Sequence, residues 1–237
     1  ARTLGPNARI ALVERGRWPR PKVCGGCLNH AALALLNHLG ITDRRLHDAG
    51  AANITHLHLR CGRRDARWPL PRALAIDRSS LDDLLVRAAV AAGVRFIPHC
   101  SAAVLPAPHP RESHPVLLRR GGESFPCTAR TVLIADGLAG SSLDALPAFT
   151  TRVQPRSWIG LGGTLDASSP AAPRAPSGEI AMHIAPHGYV RVVCLADHTT
   201  HLAAAIDPAF LRSRADRGGP LTAIAEILEF CRADRPS

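Results

Sequence analysis

The sequence predicts an α/β protein whose second part is mainly β. A short continuous apolar run at Ile10–Val13 is typical of a buried parallel strand, and an amphipathic helix is expected at 78–92. After Pro147 the character of the sequence changes, and several short segments predict the strands of an antiparallel sheet. A length of 237 residues allows one or two domains.

The helices of the first part have recognisable start and stop residues. Asn29 is placed to cap a helix that runs to Leu39, and Gly40 follows as its stop. Asp77 is placed to cap the helix at 78–92 in the same way. Strands are expected at 53–60, in part of 67–76, and at 94–97, 101–105, 115–120, 124–127 and Thr131–Ala135.

The second part contains four predicted strands and two closing helices. A loop rich in proline, alanine and serine at 167–177 separates the first of these strands from the others. The strands are expected at 157–165, 179–185, 188–195 and 200–206, and the helices near 208–214 and 219–232.

The charge pattern does not predict a nucleic-acid surface or a membrane protein. The formal net charge is +10, but the arginines are scattered along the chain rather than clustered, and Lys22 is the only lysine. Binding of an anionic cofactor or substrate would explain part of this excess of positive charge. No apolar run approaches the roughly 18 residues that span a bilayer. The odd number of cysteines, 7, favours a reducing compartment, so we expect a cytoplasmic protein.

Two acidic residues follow predicted strands. Glu14 comes directly after the apolar run, where a dinucleotide-binding fold uses an acid to accept hydrogen bonds from ribose hydroxyls. Asp136 and Gly137 follow the strand at Thr131–Ala135, and small residues come next, a pattern typical of a backbone that approaches phosphate. A solvated loop glutamate and a turn-capping aspartate are the alternatives.

The segment from Lys22 to Cys27 reads KVCGGC and combines three chemical features. Gly25 and Gly26 let the backbone approach a planar or phosphorylated ligand, and Lys22 supplies a positive charge. Cys24 and Cys27 also form a C-x-x-C motif, as in thiol oxidoreductases. A zinc site would need a second ligand pair, which the other cysteines do not offer. The glycines favour a ligand-binding loop, with a redox dithiol and a plain turn as alternatives.

Arg78, at the head of a predicted helix, is suited to hold phosphate, although a surface arginine is the alternative. Motifs of other enzyme classes are absent from the sequence: it contains no G-x-S-x-G, no Walker A motif and no HExxH. No general acid or base stands out.

In their order and spacing, four segments resemble the flavin-dependent oxidoreductases of the p-hydroxybenzoate hydroxylase superfamily, most closely the geranylgeranyl reductase branch. They span most of residues 8–212 and read IALVERGRWPRPKVCGGCLN, IDRSSLDDLLVRAAVAAGV, VLIADGLAGSS and GYVRVVCLADHTTHLAAAIDPAFL. The resemblance implies a Rossmann-like FAD-binding domain with an antiparallel β-sheet substrate domain. It also implies FAD as the cofactor, NAD(P)H as its reductant, and an apolar or aromatic small molecule as the substrate.

The resemblance assigns domains and cofactor-binding residues. The FAD domain is expected at 1–149, the substrate domain at 150–210, and a helix returning toward the FAD domain at 211–237, with strands in 53–76 joining the substrate sheet. Catalytic residues are not assigned. The cofactor-binding residues are expected to be Glu14, Arg15, Lys22, Cys24, Gly25, Gly26, Arg78, Asp136, Gly137 and Ser141.

The sequence departs from this family at two points. It contains no G-x-G-x-x-G, and the Gly-Asp motif that follows the family's substrate domain is missing. We therefore expect a fragment of a longer flavoprotein, inactive as it stands. A non-catalytic protein with a flavoprotein fold and a C-x-x-C thiol oxidoreductase are the alternatives.

Overall fold

A computed structural model of the chain describes residues 8–107, 113–138, 140–150, 152–166, 173 and 175–232. The chain divides into two compact units. Unit 1 comprises Ala1–Arg20 and Ala89–Val153, and unit 2 comprises Pro21–Ala88 and Gln154–Ser237. Residues 21–88 and 154–237 thus belong to one unit, and the domain boundaries expected after residues 149 and 210 stay a prediction.

The structure contains 12 strands and 5 α-helices within the described residues. The strands are β1 (Ala11–Glu14), β2 (Cys27–Asn29), β3 (Ala52–Cys61), β4 (Arg64–Ala75), β5 (Arg95–Pro98), β6 (Ser101–Val104), β7 (His114–Arg120), β8 (Glu123–Ala129), β9 (Ile159–Asp166), β10 (Glu179–Ala185), β11 (Gly188–Cys194) and β12 (Thr199–Ile206). The helices are α1 (His30–His38), α2 (Asp43–Asp48), α3 (Arg78–Ala91), α4 (Pro208–Arg212) and α5 (Pro220–Phe230).

Unit 1 holds a parallel strand pair and a meander. β1 pairs in parallel with β5, and β6, β7 and β8 form an antiparallel sheet. The prediction of a parallel strand after Ile10 is confirmed, but β1 is not buried, since Leu12 is 39% exposed. The strand predicted at Thr131–Ala135 is wrong: the segment forms no strand, and Leu133 is 88% exposed. A strand needs a hydrogen-bonded neighbour, and among the described residues β1 pairs only with β5.

Unit 2 is built on one sheet in the order β2-β4-β3-β10-β11-β12-β9. The pairing of β3 with β10 is parallel, and every other pairing in this sheet is antiparallel. Strands from the first part of the chain therefore extend the sheet of the second part. Most of the loop predicted at 167–177 lies outside the described residues.

Apolar clusters lie on the sheet of unit 2 and beside its first helices. α5 packs on β10 and β11, where Val190 and Val192 form a buried cluster with Ile227. A second cluster joins α1, α2, β4 and the start of α3 through residues such as Leu46 and Ile76. Side chains alternate along a strand, so Arg191 points to the face opposite that of Val190 and Val192.

The predicted helix starts are confirmed. The Asn29 side chain accepts a hydrogen bond from the N–H of Ala32 at 2.9 Å, and Gly40 follows the helix with a φ of +79°. Asp77 accepts from the N–H of Ser79 at 2.7 Å. The described residues include no helix long and apolar enough to cross a membrane.

Candidate functional site

The predicted cofactor-binding residues divide equally between the two units. Unit 1 contains Glu14, Arg15, Asp136, Gly137 and Ser141. Unit 2 contains Lys22, Cys24, Gly25, Gly26 and Arg78, together with three residues that the sequence did not single out for the site: Asp82, Arg191 and His201.

The cysteine loop, residues 22–27, is held in place by its second glycine. Gly26 has a φ of +65°, and its carbonyl accepts a hydrogen bond from the N–H of Ile76 at 2.8 Å. A Cβ at Gly26 would lie 2.8 Å from the Ile76 carbonyl oxygen. The N–H of Gly26 points to the Cys24 sulfur at 3.4 Å. Only glycine fits this backbone without strain, which explains one of the two glycines in the motif.

Arg191 lies beneath the loop and explains the other glycine. A Cβ at Gly25 would lie 2.4 Å from Arg191 Nη1. Arg191 is 7% exposed, and its Nη1 donates to the Cys27 sulfur at 3.0 Å. Its Nε and Nη2 have no hydrogen-bond partner among the described residues. A buried guanidinium with two unpaired donors is costly, so this arrangement calls for a functional explanation.

Arg78 and Lys22 both bind Asp82. The Arg78 guanidinium donates from Nε and Nη2 to the two carboxylate oxygens, each at 3.0 Å. Lys22 Nζ lies 2.7 Å from Asp82 Oδ2. Asp82 is 8% exposed. Burial opposes ionisation of this carboxyl, but the bonds from Arg78 and Lys22 outweigh it and hold the pKa of Asp82 below its ordinary value.

The two thiols of the loop differ in acidity. Burial disfavours the Cys24 thiolate, yet the Gly26 N–H, Arg78 and Arg191 together hold the pKa of Cys24 below its ordinary value. For Cys27 burial prevails over the Arg191 charge, and its pKa is raised. Cys24 is therefore the more acidic thiol of the pair.

His201 lies at the edge of the same cluster. Its Nε2 is 3.7 Å from Oδ1 of Asp77, the residue that caps α3. Burial lowers the pKa of His201, an effect that the nearby carboxylates of Asp77 and Asp197 oppose. The imidazole is thus mainly neutral at neutral pH.

An apolar cleft opens next to the loop. It starts at Cys27 and is lined by apolar residues such as Leu57, Leu70 and Ile180, and also by the polar residues Asn29, His30 and Arg72. Its walls come from β2, β3, β4, β10 and the start of α1, all in unit 2. Such a lining suits an apolar molecule.

Glu14 stands at the carboxyl end of β1, as the sequence predicted. Its Oε1 accepts hydrogen bonds from the N–H of Gly16 at 2.6 Å and from Arg20 Nε at 3.3 Å. The Glu14 carboxylate therefore also orders the loop that follows its strand.

Asp136 is the hydrogen-bond acceptor of its own turn, which was the structural alternative for this residue. Its Oδ2 accepts from the N–H of Ser142 at 3.0 Å, and hydrogen bonds from the Ser142 side chain and N–H, aided by the charge of Arg15, lower the pKa of Asp136. Gly137 has a φ of +83°, and apart from its chain neighbours no heavy atom of the described residues lies within 4 Å of a Cβ built there. The carbonyl of Ser141 accepts from the N–H of Asp144 at 3.3 Å.

These features fit a flavin nucleotide in part. Glu14 and the open backbone at Gly137 suit ribose and phosphate, respectively. In unit 2, Lys22 and Arg78 provide positive charge, although Asp82 already pairs with both. No group of three or more metal-ligating side chains occurs in the described part of the chain.

Two of the additional residues have signals in the sequence. Arg191 interrupts the apolar run GYVRVVC, where a buried strand otherwise carries no charge. Asp82 follows Arg78 at the spacing of one helical turn, which favours an ion pair. The position of Arg191 under Gly25 depends on contacts between distant parts of the chain.

Comparison with solved structures finds similar folds among flavoproteins. A flavoprotein/dehydrogenase from Cytophaga hutchinsonii matches 94% of this chain and 55% of its own with a TM-score of 0.71 and 15% identity. The myxobacterial chondrochloren halogenase, a variant of FAD-dependent halogenases, matches 94% of this chain and 51% of its own with a TM-score of 0.69 and 22% identity.

A triple mutant of a flavin-dependent brominase matches 97% of this chain and 60% of its own, with a TM-score of 0.76 and 13% identity. The fold is that of FAD-binding flavoproteins. The chain spans between 51% and 60% of these three structures. No family model matches the sequence, and no curated protein matches it.

Proposed function

We propose that the chain forms part of an FAD-dependent oxidoreductase, of the reductase or monooxygenase type, that acts on an apolar or aromatic small molecule. The observation that carries this proposal is the flavoprotein fold together with Glu14 at the carboxyl end of a parallel strand. The geranylgeranyl reductase branch, reduction by NAD(P)H and a cytoplasmic location belong to the same proposal.

FAD, when bound, would supply the hydride and electron chemistry, while the protein binds and orients it. In unit 1, Glu14 would accept hydrogen bonds from the adenosine ribose, and the backbone near Gly137 would leave room for phosphate. Arg15 would add positive charge to the same unit. Ser141 would belong to the turn that Asp136 holds.

In unit 2, the cysteine loop would lie along the cofactor. Gly25 and Gly26 carry no side chains, and Asp82 pairs with both Lys22 and Arg78. Lys22 and Arg78 carry two positive charges and Asp82 one negative charge. The net positive charge of this cluster, held in a fixed position, would attract the cofactor. Cys24 would contact the cofactor in this arrangement.

The substrate class follows from the cleft that starts at Cys27. Its leucine, alanine and isoleucine side chains favour an apolar body in the ligand, and Asn29, His30 and Arg72 in the same lining would accept a polar group on it. The cleft also adjoins the cysteine loop. A molecule bound in it would therefore lie beside the residues of unit 2 that we assign to FAD binding.

The proposal is tested on the product of the complete reading frame that encodes these residues. We expect a yellow protein whose visible spectrum shows flavin, released as FAD on denaturation. Under anaerobic conditions NADH or NADPH should bleach that spectrum. A colourless protein that takes up no FAD on titration would contradict the proposed function.

A further inference from the structure

Each thiol of the C-x-x-C motif lies beside an arginine. Arg191 Nη1 donates to the Cys27 sulfur at 3.0 Å. Arg78 interacts with the Cys24 sulfur, which also faces the N–H of Gly26 at 3.4 Å. Arg191 acts on both sulfur atoms through its charge. Cations held beside the thiols of a C-x-x-C motif favour thiolate chemistry.

The hydrogen bonding of Arg191 points to the same chemistry. Two of its donor nitrogens are buried and lack a partner among the described residues, and the acceptor that it does reach is a cysteine sulfur. A carboxylate partner would make this arginine an ordinary structural ion pair. With a sulfur instead, its charge is available to a thiolate.

We propose that Cys24 and Cys27 form a reversible intramolecular disulfide by thiol–disulfide exchange, with Cys24 as the attacking residue and Cys27 as the resolving residue. The two residues between them are glycines, which carry no side chains, and the thiols are near enough for the Cys24 charge to act on Cys27. This chemistry needs no flavin, and its failure would leave the proposed flavin function standing.

The exchange proceeds in two balanced steps with a small disulfide, such as glutathione disulfide, as the oxidant. The Cys24 thiolate attacks one sulfur of glutathione disulfide, forms a mixed disulfide and releases one glutathione thiolate. The Cys27 thiol then loses its proton to solvent and attacks the Cys24 sulfur, which releases the second glutathione thiolate. Two protein thiols are oxidised, and one disulfide is reduced to two thiols.

Arg191 favours the reduced state in this scheme. Its charge stabilises a thiolate but interacts only weakly with a neutral disulfide. The reduced state is therefore favoured and the disulfide should be easily reduced, as in strongly oxidising dithiol proteins. Replacing Arg191 with methionine should therefore shift the oxidation midpoint to a lower ratio of glutathione disulfide to glutathione, by roughly threefold or more.

The experiment uses the position of the tryptic sites. Trypsin cuts after Lys22 and Arg44, so residues 23–44 form one peptide that contains Cys24 and Cys27 and no other cysteine. The purified chain is equilibrated in glutathione buffers of graded ratio, quenched in acid, alkylated and digested. Mass spectrometry should then show the 23–44 peptide with two hydrogens lost and neither cysteine alkylated.

Single-cysteine variants identify the attacking thiol. In Cys27→Ser the peptide should carry one glutathione on Cys24, whereas in Cys24→Ser the remaining cysteine should stay largely unmodified at the same ratio. Cys127, an exposed thiol alone in the peptide 121–130, reports in every sample that glutathione exchange has occurred. Far-UV circular dichroism checks that each variant folds like the wild type.

The wild-type sample decides the question even if a variant fails to fold. If the 23–44 peptide keeps two alkylated thiols at ratios where Cys127 carries glutathione, no disulfide forms and the proposal is wrong. A disulfide from either cysteine to a cysteine of another peptide would also overturn it, as would equal glutathione capture by the two single-cysteine variants.

Discussion

Replacing Arg191 with methionine should make the ligand-free protein more stable. The guanidinium is buried in the sheet of unit 2, where its Nε and Nη2 have no partner among the described residues and its Nη1 reaches only the Cys27 sulfur. Methionine has a similar length, carries no charge and fills irregular apolar space well.

The magnitude follows from the hydrogen bonds gained and lost. Each buried donor without a partner costs about 1–3 kcal/mol, and both of these costs disappear with the guanidinium. The lost bond to Cys27 involves a charged donor and is worth about 1.5–3 kcal/mol. At the middle of these ranges the gain exceeds the loss by about 2 kcal/mol, which agrees with the gains found when buried ionic groups are replaced by apolar ones.

Urea unfolding of both proteins at pH 7, followed by circular dichroism, measures the difference in free energy. Arg67→Met is the matched control, because Arg67 of the same sheet is ion-paired at 2.5 Å with Glu179, which is 7% exposed. That substitution should destabilise the protein, since it removes a partner of a buried carboxylate. A loss of stability in Arg191→Met like that in Arg67→Met would refute the reasoning.

The remaining predictions concern three other positions. Gly26→Ala should lower the free energy of unfolding by about 2 kcal/mol or more, because alanine is strained at positive φ and its Cβ would meet the Ile76 carbonyl oxygen. Urea unfolding measures this loss. Gly50→Ala is the control for positive φ alone, since φ is +92° there and the space around a Cβ is open. Asp82→Asn should destabilise at pH 7. Because the folded pKa of Asp82 is depressed, its contribution is present above the unfolded pKa and lost as pH falls through the folded pKa, so unfolding curves of both proteins should converge in acid. Glu14→Gln in the complete protein should weaken FAD binding by about 1–3 kcal/mol on titration, whereas unchanged affinity would remove Glu14 from the ribose site.

The helices could be predicted from the sequence because their signals are local. Asn29 and Asp77 cap the helices that follow them, and Gly40 stops the first helix. The short helix α2 was missed, since its segment DRRLHD holds one buried apolar residue, Leu46, and shows no helical period.

The sheet pairings depend on distant contacts. β3 and β10 pair in parallel although more than a hundred residues separate His56 from its partner Glu179, and no local pattern reports this. At Thr131–Ala135 a strand was predicted where the structure has none. The composition of this run suits a strand, but pairing with a neighbour is what makes a strand, and the described residues provide none.

The candidate site was predictable in its residue types but not in its arrangement. The motif KVCGGC and Arg78 stood out for their chemistry, and the structure places them in one unit. Arg191 enters that cluster only because β11 lies beneath the loop, a position fixed by the register of the whole sheet. Asp136, by contrast, has its carboxylate committed to a turn.

FAD content tests the central claim most directly. The product of the complete reading frame is purified without added flavin, its visible spectrum is recorded, and the cofactor released by denaturation is identified and counted against protein. A flavoprotein oxidoreductase should hold close to one FAD per chain, and NADH or NADPH should reduce it in the absence of oxygen. Protein that carries no flavin, and binds none when FAD is added, would contradict this account.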